Sequence, residues 1–308
     1  VIVCAGCGTV LPPAAATGRP RRFCSTRCRV RAHRRRSGPP AAEWADDRAA
    51  LYVGDAAEVL ASMPRGSAHC LITSPPYWSA RDYGGTPGQL GHEPTVGAYV
   101  SAVADVLDVA APVLRRDATV WLVLGDAYSG TADASVSRSG RRDRAEVLPP
   151  RRSSTDVAPR GSLLGLPWRV GVELTGRGWI LRNAITWWRR NDLPHPTRTR
   201  LDNRTETVLV LARRPGYYFD RDALGEHDSD VWDIPITPGY GGHPAPFPVE
   251  LARRAVVAGC SPDGTVLDCF SGVATTGVAA LAVGRRFVGV ELHRGYAEAG
   301  ARRLGLAP

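Results

Sequence analysis

The chain has 308 residues, 44% of them hydrophobic, enough to bury a large core with room for a small appendage. No apolar run approaches the length of a membrane span and the N-terminus lacks a secretory pattern, so the expectation is a cytoplasmic protein with no membrane partner. The net charge of +9 is carried by arginine alone and is uneven: residues 1–42 hold nine arginines and no acid, and the other 30 arginines balance all 30 acids. Local basicity of this kind points to a polyanion partner for the N-terminal segment and excludes a uniformly basic chain.

Cys4-x-x-Cys7 and Cys24-x-x-x-Cys28 stand sixteen residues apart. Two thiolate pairs at this spacing can close a tetrahedral zinc site, and so short a segment would draw its folding energy from the metal. Residues 1–36 are therefore expected to form a four-cysteine zinc module with a basic tail, and 37–49 a linker. A redox pair at Cys4/Cys7 would leave the second pair unexplained. Cys70, Cys260 and Cys269 read as buried packing.

From residue 50 the pattern alternates strands and helices. Ala50–Val53 reads as a strand, with Gly54-Asp55 at its end and a helix from Ala56 to Met63. His69–Ile72 is a buried strand that must leave its sheet at Thr73-Ser74-Pro75-Pro76-Tyr77-Trp78, because consecutive prolines cannot continue a ladder. That exit places a hydroxyl, carbonyls and an aromatic ring at the carboxyl end of a strand, where open α/β sheets bind ligands. A helix over Val96–Leu114 and strands over 118–124, 179–188 and 206–211 follow, with a helix over 163–174 among them. Three stretches lack periodicity: 131–161, the arginine-rich 189–204, and 221–246. Arg189, Arg190, Arg198 and Arg200, with Trp78 beside the proline exit, are the candidate DNA contacts. A helix to Ala258 leads into the strand Gly264–Leu267, then Asp268-Cys269-Phe270-Ser271-Gly272-Val273-Ala274-Thr275-Thr276-Gly277. A helix over 278–283, a strand ending in Glu291 and a closing helix to Leu304 complete the chain. A glycine turn between strand and helix allows close backbone approach to a ligand, and an acid ending the next strand can accept from ribose hydroxyls. The Asp268-to-Glu291 spacing also suits a dinucleotide site, but the turn is not G-x-G-x-x-G.

The hexapeptide Thr73–Trp78 resembles the S/D/N-P-P-Y/F catalytic motif of amino-group DNA methyltransferases. Asp268–Gly277 resembles their D-P-F-x-G-S-G-T-T-G segment, with Cys269 for the usual proline and Ala274 for a glycine. Over residues 50–304 of an expected 50–308 methyltransferase domain, catalytic segment first and cofactor segment last, the chain resembles the β class, whose motifs are circularly permuted. The resemblance implies an α/β, Rossmann-like S-adenosylmethionine-dependent fold with a mostly parallel, seven-stranded mixed sheet, carrying the three insertions as DNA-contacting loops. It implies that Ser74 and the Pro75 carbonyl accept the protons of a flipped base's amine, with Pro76 and Tyr77 completing the motif and Tyr77 stacking on the base. Asp55, Asp268, Phe270, Gly272, Thr275, Thr276 and Glu291 would hold S-adenosylmethionine. Ser at the first motif position looks more like cytosine-N4 than adenine-N6 enzymes. The expected activity is site-specific methylation of cytosine N4 in double-stranded DNA, by a monomer or homodimer with a cognate restriction endonuclease as candidate partner. Adenine-N6 methylation, RNA methylation, and a zinc-dependent DNA-binding protein with a vestigial methyltransferase domain are the rivals.

Overall fold

The computed structural model describes Cys28 and residues 41–80, 89–130, 157–192, 198–237, 240 and 246–308. Cys4, Cys7 and Cys24 lie outside the described residues, among which no group of three or more His, Cys, Asp or Glu could hold a metal.

Nine strands form one sheet: β1 (Trp44–Ala45), β2 (Ala49–Val53), β3 (Ala68–Thr73), β4 (Leu114–Leu124), β5 (Ile180–Trp188), β6 (Thr205–Ala212), β7 (Val231–Asp233), β8 (Thr265–Asp268) and β9 (Arg286–Glu291). Their order is β1-β2-β9-β8-β3-β4-β6-β5-β7. The seven expected strands are the inner seven, so the sheet has nine strands and not seven. Two short edges account for the difference. Antiparallel β1 pairs Trp44 with Leu51 inside the stretch read as a linker, and β7 pairs Thr186–Trp188 with Val231–Asp233. Strands of two and three residues are too short to show a period of two. The run β2-β9-β8-β3-β4 is parallel, while β6 is antiparallel to β4 and β5.

Period-two alternation feeds both faces of this sheet. Leu71, Val120, Leu122, Leu124, Leu209 and Leu211 face one layer, with α1 (Ala56–Ser62), α2 (Val96–Ala110) and α3 (Leu166–Gly176). Cys70, Ile72, Trp121, Val123, Val208 and Val210 face the other, with α4 (Val249–Gly259), α5 (Thr275–Ala282) and α6 (Arg294–Leu304). Cys70, Cys260 and Cys269 are all buried. Among the described residues no helix is long and apolar enough to cross a membrane.

α2 stops at Ala110, four residues before the expected end, and β4 starts at Leu114. Pro112 has no N–H to continue the helix, and the apolar Val113-Leu114 pair carries helical spacing into what is strand. From β8 the chain proceeds to β9 on one side, whereas from β3 it proceeds to β4 on the other. The strand order thus reverses between β8 and β3, the point at which open α/β sheets place a ligand crevice beyond their carboxyl ends.

Candidate active site

That edge gathers residues far apart in the chain. Thr73 Oγ1, at the end of β3, donates to Asp268 Oδ1 at 2.6 Å, and Thr276 Oγ1 donates to Asp268 Oδ2 at 2.6 Å. The Phe270 amide adds a third donor at 3.1 Å. Asp268 is fully buried, and that burial pushes its carboxyl up to about 6 in spite of the three hydrogen bonds. Its role is to clamp the β8 turn to the end of β3. Thr276 is turned into the same clamp, and Thr275 Oγ1 accepts from Arg303 Nη1 at 3.0 Å. These three side chains are engaged within the turn and shape it.

The turn itself is sharply bent. Gly272 has φ 51° and Ala274 φ 58°, both left-handed. Alanine is strained there by about 1 kcal/mol, a cost the family's usual glycine avoids. The Gly272 amide donates to Glu291 Oε2 at 2.7 Å and the His293 amide to Oε1 at 2.8 Å, which aims the carboxylate along the edge. Burial pushes Glu291 up to about 7. Ser271 Oγ is buried with no partner among the described residues. Val53 pairs with Glu291 across β2 and β9, so Asp55, which caps α1 through the Glu58 amide at 3.0 Å, stands one strand away. Phe270, half-buried, packs at the margin of the core.

On the other side of the crevice, Ser74, Pro75, Pro76 and Tyr77 leave the sheet as the double proline requires. Glycines hold the Tyr77 unit in place. A Cβ on Gly125, just past β4, would sit 2.5 Å from the Tyr77 ring, and one on Gly91 would sit 2.8 Å from its carbonyl. The Tyr77 hydroxyl donates to Glu206 Oε2 at 2.6 Å, and Ser74 Oγ donates to the Tyr77 oxygen at 3.4 Å. Burial and the Glu206 charge push the phenol well above its ordinary range, so it stays protonated.

Two of the expected DNA contacts are engaged within the fold. Trp78 is 4% exposed, packs in the core and donates its indole N–H to the Glu93 carbonyl at 3.0 Å, so it has no face left for a base. Arg189 is turned inward. Its Nη1 reaches Glu206 Oε1 at 3.1 Å, and its Nη2 reaches the Asn203 carbonyl at 2.8 Å and Asp192 at 3.1 Å. Of the remaining candidates, Arg190 is exposed beside Asp233 at 3.3 Å, Arg198 is exposed, and the Arg200 guanidinium lies 3.9 Å over the Tyr128 ring. Tyr128 bridges to Leu163, and Ser129 and Ser162 are hydrogen-bonded beside it. The residues that flank the 131–161 insertion therefore meet the 189–204 stretch at the carboxyl edge. Sequence reading missed Glu206, treated only as the first residue of a strand, and Asp126. The Asp126 carboxylate accepts from the amides of Gly165 and Leu166 at 3.0 Å each and ties the end of β4 to the start of α3. An acid opening an antiparallel strand, facing the exit of a parallel one, was the available signal for Glu206.

The DNA methylase family model for N6 and N4 enzymes matches residues 68–302. The chain is 33% identical over 264 residues to the type II methyltransferase M.Cfr9I of Citrobacter freundii, covering 83% of this chain and 87% of that one. Among solved structures, it resembles the cytosine-N4-specific PvuII DNA methyltransferase in fold, with a TM-score of 0.66 at 21% identity over 87% of this chain and 90% of that one. It also resembles the putative DNA modification methylase TTHA0409 of Thermus thermophilus, in its complex with S-adenosyl-L-methionine, with a TM-score of 0.59 at 26% identity over 84% and 95%. With a clamped glycine turn on one side of a topological switch point and the Ser-Pro-Pro-Tyr exit on the other, the chain belongs to the N6/N4 DNA methylase family.

Proposed function

We propose that this DNA methyltransferase uses S-adenosylmethionine to methylate the exocyclic N4 amine of a cytosine flipped out of duplex DNA. The observation that carries the reading is Ser74, at the carboxyl end of β3, one strand from the Asp268–Gly277 turn. The turn suits the cofactor. Gly272 leaves the backbone open to close approach, Glu291 presents a fixed carboxylate, and Ser271 Oγ is a buried hydroxyl without a partner among the described residues. Asp55 and Phe270 complete the wall. When bound, S-adenosylmethionine supplies a methyl group already activated by its sulfonium. The amine needs help because its lone pair is delocalised into the ring. Ser74 Oγ and the Pro75 carbonyl accept its two hydrogens and free the lone pair, so catalysis is positioning and electrostatic preorganisation. The half-buried Tyr77 ring supports the flipped base. That the catalytic strand precedes the cofactor strand in the chain supports the permuted motif order of the β class.

Product identity tests this reading. Labelled S-adenosylmethionine and unmodified genomic DNA, digested to nucleosides and resolved by mass spectrometry, are expected to give N4-methylcytosine. N6-methyladenine would overturn the base assignment and keep the chemistry.

Cofactor affinity is expected to depend on pH with a definite sign. Glu291 and Asp268 are raised in the fold to about 7 and about 6, above ordinary carboxyls. In the unliganded fold they hold protons that the unfolded chain releases, so their contribution to stability is greatest in acid and declines as pH rises toward 7. Binding runs the other way, because ribose hydroxyls donate to the ionised Glu291. Affinity should fall as pH drops through 7, approaching about tenfold per unit, and Glu291→Gln should flatten the dependence. Calorimetric titration across this range reads both; equal slopes in the two proteins would remove Glu291 from the site.

Cys4, Cys7 and Cys24, outside the described residues, make with Cys28 a donor set suited to structural zinc. One equivalent of zinc by elemental analysis is expected, lost on Cys24→Ser. The arginine-rich segment beside it, with Arg190, Arg198 and Arg200 at the catalytic edge, would lie against phosphates. A cognate endonuclease recognising the same site is the partner this chemistry would protect against.

A further inference from the structure

We propose that Glu206 is a positioning residue for methyl transfer: through the Tyr77 hydroxyl it fixes the direction of the Ser74 hydroxyl, so that Ser74 meets the target amine only as an acceptor. The inference rests on the reading of Ser74 given above.

A serine hydroxyl is ambivalent, with one proton to donate and two lone pairs to accept. Left free, it could donate to a base carbonyl as readily as accept from an amine. Proton bookkeeping along the observed chain removes the ambiguity. Glu206, paired with Arg189 at 3.1 Å, is the acceptor at the end of the chain. The Tyr77 phenol has one proton, and at 2.6 Å it goes to Glu206 Oε2. The phenol oxygen can then only accept from Ser74 Oγ, 3.4 Å away. With its proton directed there, Ser74 Oγ keeps both lone pairs to accept. The raised pKa of the phenol agrees, since burial and the Glu206 charge both hold the proton on the ring oxygen.

The assembly is fixed from several directions. Glu206 sits on the starting residues of β6, with its side chain 13% exposed. Arg189 follows the end of β5 and faces Arg204, while Trp187 pairs with Glu206 in the adjoining strand, which puts the two charges two rungs apart on one face of the sheet. Asp192 and the Asn203 carbonyl hold the guanidinium in turn. Gly125, with no side chain, leaves the space that the Tyr77 ring fills. An acceptor-only Ser74 discriminates for bases that present two amine hydrogens and against those that present a carbonyl at the same place.

Two variants test the chain. Glu206→Gln swaps the acceptor-only group for an amide that can also donate, and Tyr77→Phe keeps the ring but deletes the link. Each is expected to lower the single-turnover methylation rate about tenfold, with dissociation constants for S-adenosylmethionine and DNA unchanged. The double variant should be no worse than either single one, because both break the same chain. Losses that multiply, or loss through weaker cofactor or DNA binding, would show that Glu206 acts only in folding the edge and overturn the proposal. Variants as fast as the wild-type chain would overturn it too. A wild-type chain that transfers no label to DNA would instead sink the methylation reading, and the role of Glu206 with it.

Discussion

Replacing Ser74 with alanine is expected to lower single-turnover methyl transfer to DNA by about 100- to 1000-fold, the range seen when one preorganised hydrogen-bonding group is removed from a transition state. Alanine removes one of the two acceptors for the amine hydrogens and leaves only the Pro75 carbonyl. The lone pair then stays in conjugation with the ring for longer, and the effect falls on the chemical step. Cofactor affinity should be unchanged, because the strand-end clamp is made by Thr73, not Ser74. The fold should be unchanged as well, since the Tyr77 hydroxyl keeps its stronger bond to Glu206. Rapid-quench kinetics with labelled cofactor, alongside calorimetric binding, separates the two quantities. A loss confined to binding would place Ser74 outside the chemistry.

What could be read in the sequence follows from which forces are local. The Pro75-Pro76 exit was legible because two missing N–H groups end a ladder regardless of what surrounds them. The inner seven strands were legible because Cys70/Leu71/Ile72 and Val120 to Val123 feed two faces in alternation. The glycine turn was legible too, and the departure at Ala274 falls on a left-handed residue, so the strain the motif normally avoids is present here. The failures were long-range pairings. Arg189 looked like a DNA contact because a charge in a sequence does not declare its partner, and Glu206 lies seventeen residues on in another strand. Trp78 looked like part of a base-binding wall until Glu93, fifteen residues away, supplied its acceptor and the core took its ring. In both cases the partner lies beyond a stretch of sequence without periodicity, and such a stretch gives no signal from which that return can be read. β1 and β7 escaped for the opposite reason: they are held by neighbouring strands and have almost no pattern of their own.

Asp268→Ala should destabilise the fold by about 2 kcal/mol and abolish measurable cofactor binding. The carboxylate joins the two halves of the crevice, with Thr73 of β3 on one oxygen and Thr276 of α5 on the other. Alanine would leave two buried hydroxyls and the Phe270 amide without their acceptor, at about 1 kcal/mol each. A counter-term limits the loss. Burial already raises this carboxyl to about 6, so the native fold bears the cost of a buried charge that alanine removes. Asp268→Asn separates the two effects. Its amide oxygen can still accept from Thr73 and Phe270, while its NH₂ meets the Thr276 hydroxyl, which can rotate to accept. The asparagine variant should therefore lose only about 1 kcal/mol and should be nearly insensitive to pH where the wild-type chain titrates. Denaturant unfolding of the three proteins near pH 5 and near pH 8 measures this directly. If alanine and asparagine unfold together, the clamp is not held by hydrogen bonds to this side chain. If alanine alone falls and cofactor binding falls with it, the carboxylate that looked like a ligand for the cofactor is the joint that makes its turn.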